Sequence, residues 1–486
     1  MFCRPFDPTG FPPWGGGGVF SRFGNGFMSK PDRPDRKQDK WDRLTPFEEY
    51  MFVDDTPAFP MYSCQGLRLT GSIDFDAFDQ AYRLAMARHP LLNSKVVRRG
   101  RKFFWEPNGE IPPIIRRTRP LGTAPEAIDW DIRTNSGMRL FLDTLTGPDG
   151  SAAEYEFFHQ IHHTASDGIG MLRFLGDLFL SYGRLLGVID ADLPKLAEDS
   201  RVIRHDYGMT YAKYWRFLLR NTLSTLQLVA RFPTPFLRQS HLDKSEPIAS
   251  YPRIIKTPLS VEESSAYHAE AQRRGMTIND LLLRDIFVVM REFIDADEEK
   301  SGRPRGNKWL RIAMPVNMRT EKHRAMYAAN MVSMVFIDRR RRQIDASDAF
   351  AEGIHRTTEM IKNKEQGLVL LKNLEGRRVL PGGIEMEMAI KRCWSTTVLS
   401  NLGRILHRFP LPCDEQGRVK IGDLTIEDFF GCPPLRYKTL ATWGVWSYAG
   451  RLQLAMRWDD RLMTPEQSRF LADLLQRRLK ASCEGR

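Results

Sequence analysis

Two adjacent histidines, His162 and His163, are followed after three residues by Asp167 and Gly168. An unperturbed imidazole has a pKa of about 6.5, so near neutral pH it can remove a proton from an attacking group. His163 is the better candidate for such a general base, because it lies closer to the loop that follows. A His pair alone is well explained as polar residues at a strand end. The fixed spacing to Asp and Gly makes chance a weaker explanation.

The pattern around the pair indicates which elements hold it. Residues 153–161 alternate between two faces, which predicts a β-strand that ends at the His pair. Beyond Gly168, apolar residues recur at three- and four-residue spacing, which predicts a helix. The segment therefore occupies a strand-to-helix junction, where a rigid scaffold presents a short loop.

Helix and strand patterns alternate in both halves of the chain, which predicts an α/β fold with mixed sheets. Thr45 with Glu48, and Thr464 with Gln467, have the spacing of capping boxes at helix starts. Residues 190–255 form a weaker, polar pattern with one amphipathic helix at 211–232. We therefore predict four segments, which are a disordered leader at 1–43, with Met28 as an alternative start, an N-terminal subdomain at 44–195, a crossover linker at 196–255 and a C-terminal subdomain at 256–486.

The composition is that of a globular protein, with 42% hydrophobic and 27% charged residues. Its 72 Lys+Arg against 60 Asp+Glu give a net charge of +12, which favours anionic partners. The basic residues are dispersed and form no nucleic-acid reader motif. Six cysteines without a C-x-x-C pair indicate neither a zinc site nor a disulfide framework, which suits a cytoplasmic location. The longest apolar run is too short to span a membrane, and the amphipathic helix leaves peripheral membrane contact open.

Four short segments resemble signatures of the CoA-dependent acyltransferase superfamily, which includes chloramphenicol acetyltransferase, condensation domains, alcohol acetyltransferases and wax ester synthases. They are HHTASDG at 162–168 for the HHxxxDG signature, RHPLL at 88–92, PVNMR at 315–319 followed by Asn330, and SNLG at 400–403. Asn93 stands where that family often has Arg. The resemblance covers most of residues 44–480.

The resemblance implies two chloramphenicol acetyltransferase-like subdomains in a V-shaped arrangement, with an active-site tunnel between them. It implies His163 as the base, with His162 as its neighbour in the motif. Asp167 and Gly168 would hold the loop, with Arg319 as the cation that pairs with Asp167 and Arg311 as the second choice. Asp167 is also explained as a simple helix N-cap.

Two further residues, Ser400 and Asn401, are candidates for an oxyanion donor or for lining the tunnel. An ordinary turn explains them equally well.

The function implied is transfer of an acyl group from an acyl-CoA thioester to a hydroxyl or amine acceptor. Acyl-CoA would be a co-substrate, with no tightly bound cofactor and no metal. A condensation enzyme that takes its acyl group from an acidic acyl carrier protein is the first alternative. A catalytically silent scaffold is the second, although its expected sign, loss of His163 or Asp167, is absent. Residues 442–446 do not match the DFGWG segment of plant enzymes, so no subfamily is predicted.

Overall fold

The computed structural model describes residues 42–123, 130–208, 221–222, 226–227, 230–238, 253–390 and 392–485. The predicted leader at 1–43 lies almost wholly outside these ranges, and so does most of the predicted amphipathic helix at 211–232.

Side-chain caps begin the first two helices, and the one at Thr45 is predicted from the sequence. Thr45 and Glu48 form a complete capping box, and the Asp74 side chain accepts from the Ala77 N–H at 3.0 Å. The helices are α1 (Pro46–Asp54), α2 (Phe75–Arg88), α3 (Gly168–Leu185) and the short α4 (Ser200–Ile203). The strands are β1 (Asp42–Arg43), β2 (Tyr62–Thr70), β3 (Ser94–Arg99), β4 (Lys102–Pro107), β5 (Ile115–Pro120), β6 (Met138–Thr146) and β7 (Ala152–His162).

The second half repeats the alternation of helices and strands. Its helices are α5 (Val261–Arg273), α6 (Ile278–Ser301), α7 (Asp348–Asn363), α8 (Gly367–Arg377), α9 (Gly383–Ala389) and α10 (Pro465–Cys483). Its strands are β8 (Arg253–Pro258), β9 (Trp309–Asn317), β10 (Val332–Arg340), β11 (Thr397–Arg404), β12 (Lys420–Ile421), β13 (Leu424–Cys432), β14 (Ala441–Tyr448) and β15 (Arg451–Trp458).

These strands form two six-stranded sheets and one three-stranded sheet. The first six-stranded sheet has the order β12-β13-β2-β7-β6-β5, the second β10-β9-β11-β14-β15-β8, and the small sheet β1-β4-β3. Parallel and antiparallel pairs occur in both large sheets, because β5 runs parallel to β6 and β11 runs parallel to both β9 and β14. The predicted mixed α/β class is confirmed. The V shape and the tunnel stay predictions.

Two strands from late in the chain, β12 and β13, complete the sheet of the first half. β13 pairs antiparallel with β2, so that Cys432 lies opposite Cys64. The chain thus returns from the second half to the first sheet before β14 and β15 complete the second. This exchange ties the two halves together through backbone hydrogen bonds.

The second sheet has one face toward its own helices and one toward the first sheet. Along β14, Trp443 and Val445 belong to the core with α5, α6 and α10, whereas Trp446 and Tyr448 belong to the core of the first sheet. We call the side that bears Trp446 and Tyr448 the inter-sheet face. The backbones of the two sheets touch there, since a Cβ added at Gly444 would lie 2.0 Å from the Gly431 carbonyl oxygen.

The length and hydropathy of the helices bear on whether any could span a membrane. None in the described part of the chain is both long enough and apolar enough to cross a bilayer.

Candidate active site

The His-His segment forms the turn between β7 and α3. The His163 N–H donates to the Met61 carbonyl at 2.7 Å, and the Ala165 N–H donates to the His162 carbonyl at 2.8 Å. Gly168 opens α3 against Leu402 of β11, since an added Cβ would lie 2.2 Å from the Leu402 Cδ2 and would force that side chain to shift. The turn therefore contacts Met61, just before β2, on one side and Leu402 of the second sheet on the other.

The ring of His163 is held close to its own backbone carbonyl. A hydrogen-bonding interaction between the ring and this carbonyl favours the protonated ring. The Asn330 amide donates to the same oxygen at 2.5 Å, and its nitrogen lies 3.3 Å from Nδ1. Nδ1 faces the Asn330 amide, while no described residue hydrogen-bonds to Nε2, so Nε2 is the ring nitrogen open to a substrate.

Burial lowers the pKa of His163 below its ordinary value. The hydrogen bond to its own carbonyl and the charge of Asp167 oppose this shift, while His162 and Arg436 add to it. The net effect is a pKa below the ordinary value of imidazole, so the ring is mainly neutral at pH 7. A neutral imidazole with a free Nε2 can accept a proton.

His162 takes a different direction and is almost fully buried. Its Nε2 lies 3.5 Å from the Asp55 carboxylate, and its Nδ1 accepts from the Thr164 N–H at 3.3 Å. Burial alone would raise the pKa of Asp55. The hydrogen bond and charge of His162 and the hydrogen bond from the Met61 N–H outweigh burial, so the pKa of Asp55 lies below its ordinary value. Both ring nitrogens of His162 thus face protein groups, which suits a positioning residue.

Asp167 is both the N-cap of α3 and the partner of Arg319. One carboxylate oxygen accepts from the Gly170 N–H at 2.8 Å, and the other from the Met331 N–H at 2.7 Å. Arg319 adds two hydrogen bonds, at 2.7 and 3.1 Å. Asp167 is therefore both a helix N-cap and the ion-pair partner of Arg319, so both interpretations of this residue are correct.

Arg311, the second choice of partner, lies elsewhere. Its guanidinium makes a two-point ion pair with Asp338 on the neighbouring strand β10, at 2.6 and 3.0 Å. The structure thus brings Arg319, and not Arg311, to Asp167.

Ser400 and Asn401 lie on opposite faces of β11. Asn401 donates to the Asn279 side chain at 2.8 Å and accepts from the Gly403 N–H at 2.8 Å, on the helix side. Ser400 pairs in register with Gly444 and so shares the inter-sheet face with it. Asn401 therefore stabilises a local turn, and Ser400 is the one directed toward the first sheet.

Two contact residues were missed as site residues. Asn330 was noted only as part of the resemblance to the family, although its amide holds His163. Asp55, which faces His162, had no signal in the sequence, because it lies far from the His pair along the chain. In the described part of the chain, no group of three or more His, Cys, Asp or Glu residues could hold a metal ion.

Comparison with known proteins places the fold. The chain has the fold of condensation domains and CoA-dependent acyltransferases. One similar solved structure is the trichothecene 15-O-acetyltransferase TRI3 from Fusarium sporotrichioides, with a TM-score of 0.63 and 15% identity over 91% of this chain and 94% of that one. Another is the first condensation domain of the calcium-dependent antibiotic synthetase, with a TM-score of 0.63 and 14% identity over 91% and 96%.

The chain also resembles a mycobacterial protein in sequence. Uncharacterized protein Rv2305 of Mycobacterium tuberculosis is 23% identical over 395 residues, which are 75% of this chain and 83% of that protein. No protein-family model matches the chain. At these identities the similarity defines the fold, and the chemistry has to be argued from the residues.

Proposed function

We propose that this protein is an acyltransferase that moves an acyl group from a thioester, acyl-CoA, to a hydroxyl or amine acceptor. The observation that carries the proposal is His163, whose pKa is lowered by burial, whose turn is held by the Asn330 amide, and whose Nε2 accepts no hydrogen bond from any described residue. The fold shared with an acetyltransferase and a condensation domain supports acyl transfer as the reaction type.

The proposed reaction is a direct transfer in which His163 first acts as a base and then as an acid. Nε2 takes the proton from the acceptor O–H or N–H while the acceptor atom attacks the thioester carbonyl carbon. The resulting tetrahedral intermediate collapses, the C–S bond breaks, and the imidazolium returns the proton to the leaving thiolate. Because a thioester is already activated, deprotonation of the acceptor is the step that needs the base.

The negative oxygen of the intermediate needs a hydrogen-bond donor. Ser400 is our candidate, because its register with Gly444 turns it to the inter-sheet face, whereas Asn401 is engaged on the helix side. Asp167 takes no proton in this scheme. It holds the turn through Arg319 and the α3 N–H group.

A carrier-bound acyl donor is the second candidate. The similarity to a condensation domain favours it, and the same His163 would serve. The net charge of +12 suits the phosphates of CoA and an acidic carrier protein alike.

Mass spectrometry of the products tests the proposal. The purified protein is incubated with short, medium and long acyl-CoAs, or with the same acyl groups on a phosphopantetheinyl carrier, and with mixed alcohols and amines. We expect acylated acceptor and free CoA, both of which disappear in His163→Ala. Product from the carrier donor alone would favour the second candidate, and absence of acylated product with either donor would contradict the proposal.

A further inference from the structure

Arg457 on β15 is a buried cation that has no carboxylate partner in the part of the chain that the structure describes. Its side chain is 1% exposed, its Nη1 donates to the Tyr62 carbonyl at 3.4 Å, and its Nε has no partner. No carboxylate among the described residues forms an ion pair with it. A guanidinium cannot lose its proton, so the charge stays.

Other buried arginines in this chain do have carboxylate partners. Arg204 pairs with Glu48, Arg284 with Asp285, and Arg311 with Asp338. On the strand next to Arg457, Lys256 of β8 reaches across to Asp428 of the first sheet at 2.6 Å. Arg457 therefore differs from these cations, each of which has a carboxylate partner.

Three ionisable groups on which the charge of Arg457 acts do not neutralise it. Burial raises the pKa of Tyr62 to about 12, of Cys64 to about 11 and of Cys432 to about 12, although Arg457 opposes each shift. All three groups are uncharged at pH 7. A second cation, Arg139, acts on Tyr62 and Cys64 as well, and the Asp55 carboxylate that acts on Tyr62 faces His162 and forms no ion pair with Arg457 among the described residues.

The location links this charge to His163. Tyr62, whose carbonyl Arg457 contacts, pairs in register with His162, and the preceding residue, Met61, accepts the His163 N–H. Arg457 also pairs with Thr442, two residues from Gly444 on β14, which places it on the inter-sheet face with Ser400. A group bound at Arg457 would lie beside the turn that carries the proposed base.

From these contacts we infer that Arg457 binds a carboxylate of the acceptor substrate, so that the acceptor is a hydroxy or amino acid. The inference rests on the proposed function for the word acceptor, but the anion site stands on its own geometry. An unpaired buried cation destabilises a folded protein, and a bound carboxylate offsets that cost through a two-point hydrogen-bonded pair. A single unpaired guanidinium matches the single charge of a carboxylate better than a phosphate dianion.

Thermal unfolding tests the site without knowledge of the substrate. The probes are sodium hexanoate, hexanamide, sodium phosphate and sodium chloride at matched ionic strength. Hexanoate should raise the midpoint of the wild-type protein by about 1–3 °C over chloride, and hexanamide should not. Arg457→Met should lose the hexanoate effect and should unfold at a higher temperature than wild type in chloride, because a buried unpaired charge is removed.

Arg311→Met is the matched control, since it removes an equally buried arginine that has a partner. It should lower the midpoint in chloride and keep the hexanoate effect. The inference is overturned if Arg457→Met unfolds as early as Arg311→Met, if hexanoate stabilises Arg457→Met as it does wild type, or if phosphate stabilises wild type more than hexanoate does.

The same salts on His163→Ala separate this inference from the proposed function. The hexanoate effect should persist in that variant whether or not the protein transfers acyl groups. Where turnover is measured with an acyl-CoA, wild type should favour a hydroxy acid over its methyl ester by about tenfold or more, and Arg457→Met should lose that preference. An equal loss for acid and ester would contradict the acceptor assignment while leaving His163 untouched.

Discussion

The Asp167 carboxylate of the β7–α3 turn and the Arg319 guanidinium after β9 join the two large sheets through hydrogen bonds of 2.7 and 3.1 Å. Arg319 also donates to the Ala329 carbonyl at 2.8 Å, beside the residue whose amide holds His163. The ion pair therefore holds the turn that carries His163 next to the segment that carries Asn330.

Asp167→Asn should destabilise the protein by about 3–5 kcal/mol, because it leaves Arg319 partly buried without a counterion. Activity should fall with stability. The measurement is urea denaturation followed by far-UV circular dichroism. Asp74→Asn is the matched control, since Asp74 caps α2 at an exposed site and Asn caps equally well. A loss for Asp167→Asn no larger than for Asp74→Asn would mean that Asp167 is a helix cap only.

Stability should decrease as the pH falls below about 6.5, partly because of His159. Burial lowers the pKa of His159 to about 3, so between these values the unfolded chain binds a proton that the folded protein does not. The free energy of unfolding therefore falls by up to about 1.4 kcal/mol for each pH unit below about 6.5 because of this one group. Urea denaturation at a series of pH values should show a shallower slope for His159→Gln. Parallel curves for the two proteins would contradict the assignment.

Ser400→Ala and Asn401→Ala should differ in kind. Ser400→Ala should lower kcat by about 10²–10³ with little change in stability, as expected for the loss of an oxyanion donor. Asn401→Ala should lower stability by about 1 kcal/mol, because it removes the contacts to Asn279 and Gly403, and should change kcat less. Steady-state kinetics and urea denaturation on the pair decide it. Equal kcat values for Ser400→Ala and wild type would remove Ser400 from the mechanism.

Local features of this fold could be predicted from the sequence, since they depend on neighbouring residues. The capping boxes at Thr45 and Thr464 both form, and the strand predicted at 153–161 is β7. The helix that begins at Gly168 follows from apolar spacing alone. Each of these depends on contacts within a few residues, where spacing and side-chain type are informative.

Long-range pairing could not be predicted in the same way. Nothing in residues 420–432 indicates that they join the first sheet beside β2, because any exposed strand edge offers the same backbone groups. The contact of Asp55 with His162 and the contact of Arg457 with the Tyr62 carbonyl likewise depend on how distant segments meet. The pairing of Asp167 with Arg319 was reached through resemblance to a family, not through spacing.

The central claim is that His163 is the base, and the rate of thiol release from acyl-CoA in the presence of acceptor tests it most directly. His163→Ala should lower that rate by about 10²–10⁴ while its unfolding midpoint stays that of wild type. His268→Ala, which removes a half-buried histidine bonded to the Ser264 carbonyl, should leave the rate unchanged. A folded His163→Ala protein that releases thiol at the wild-type rate would contradict the account.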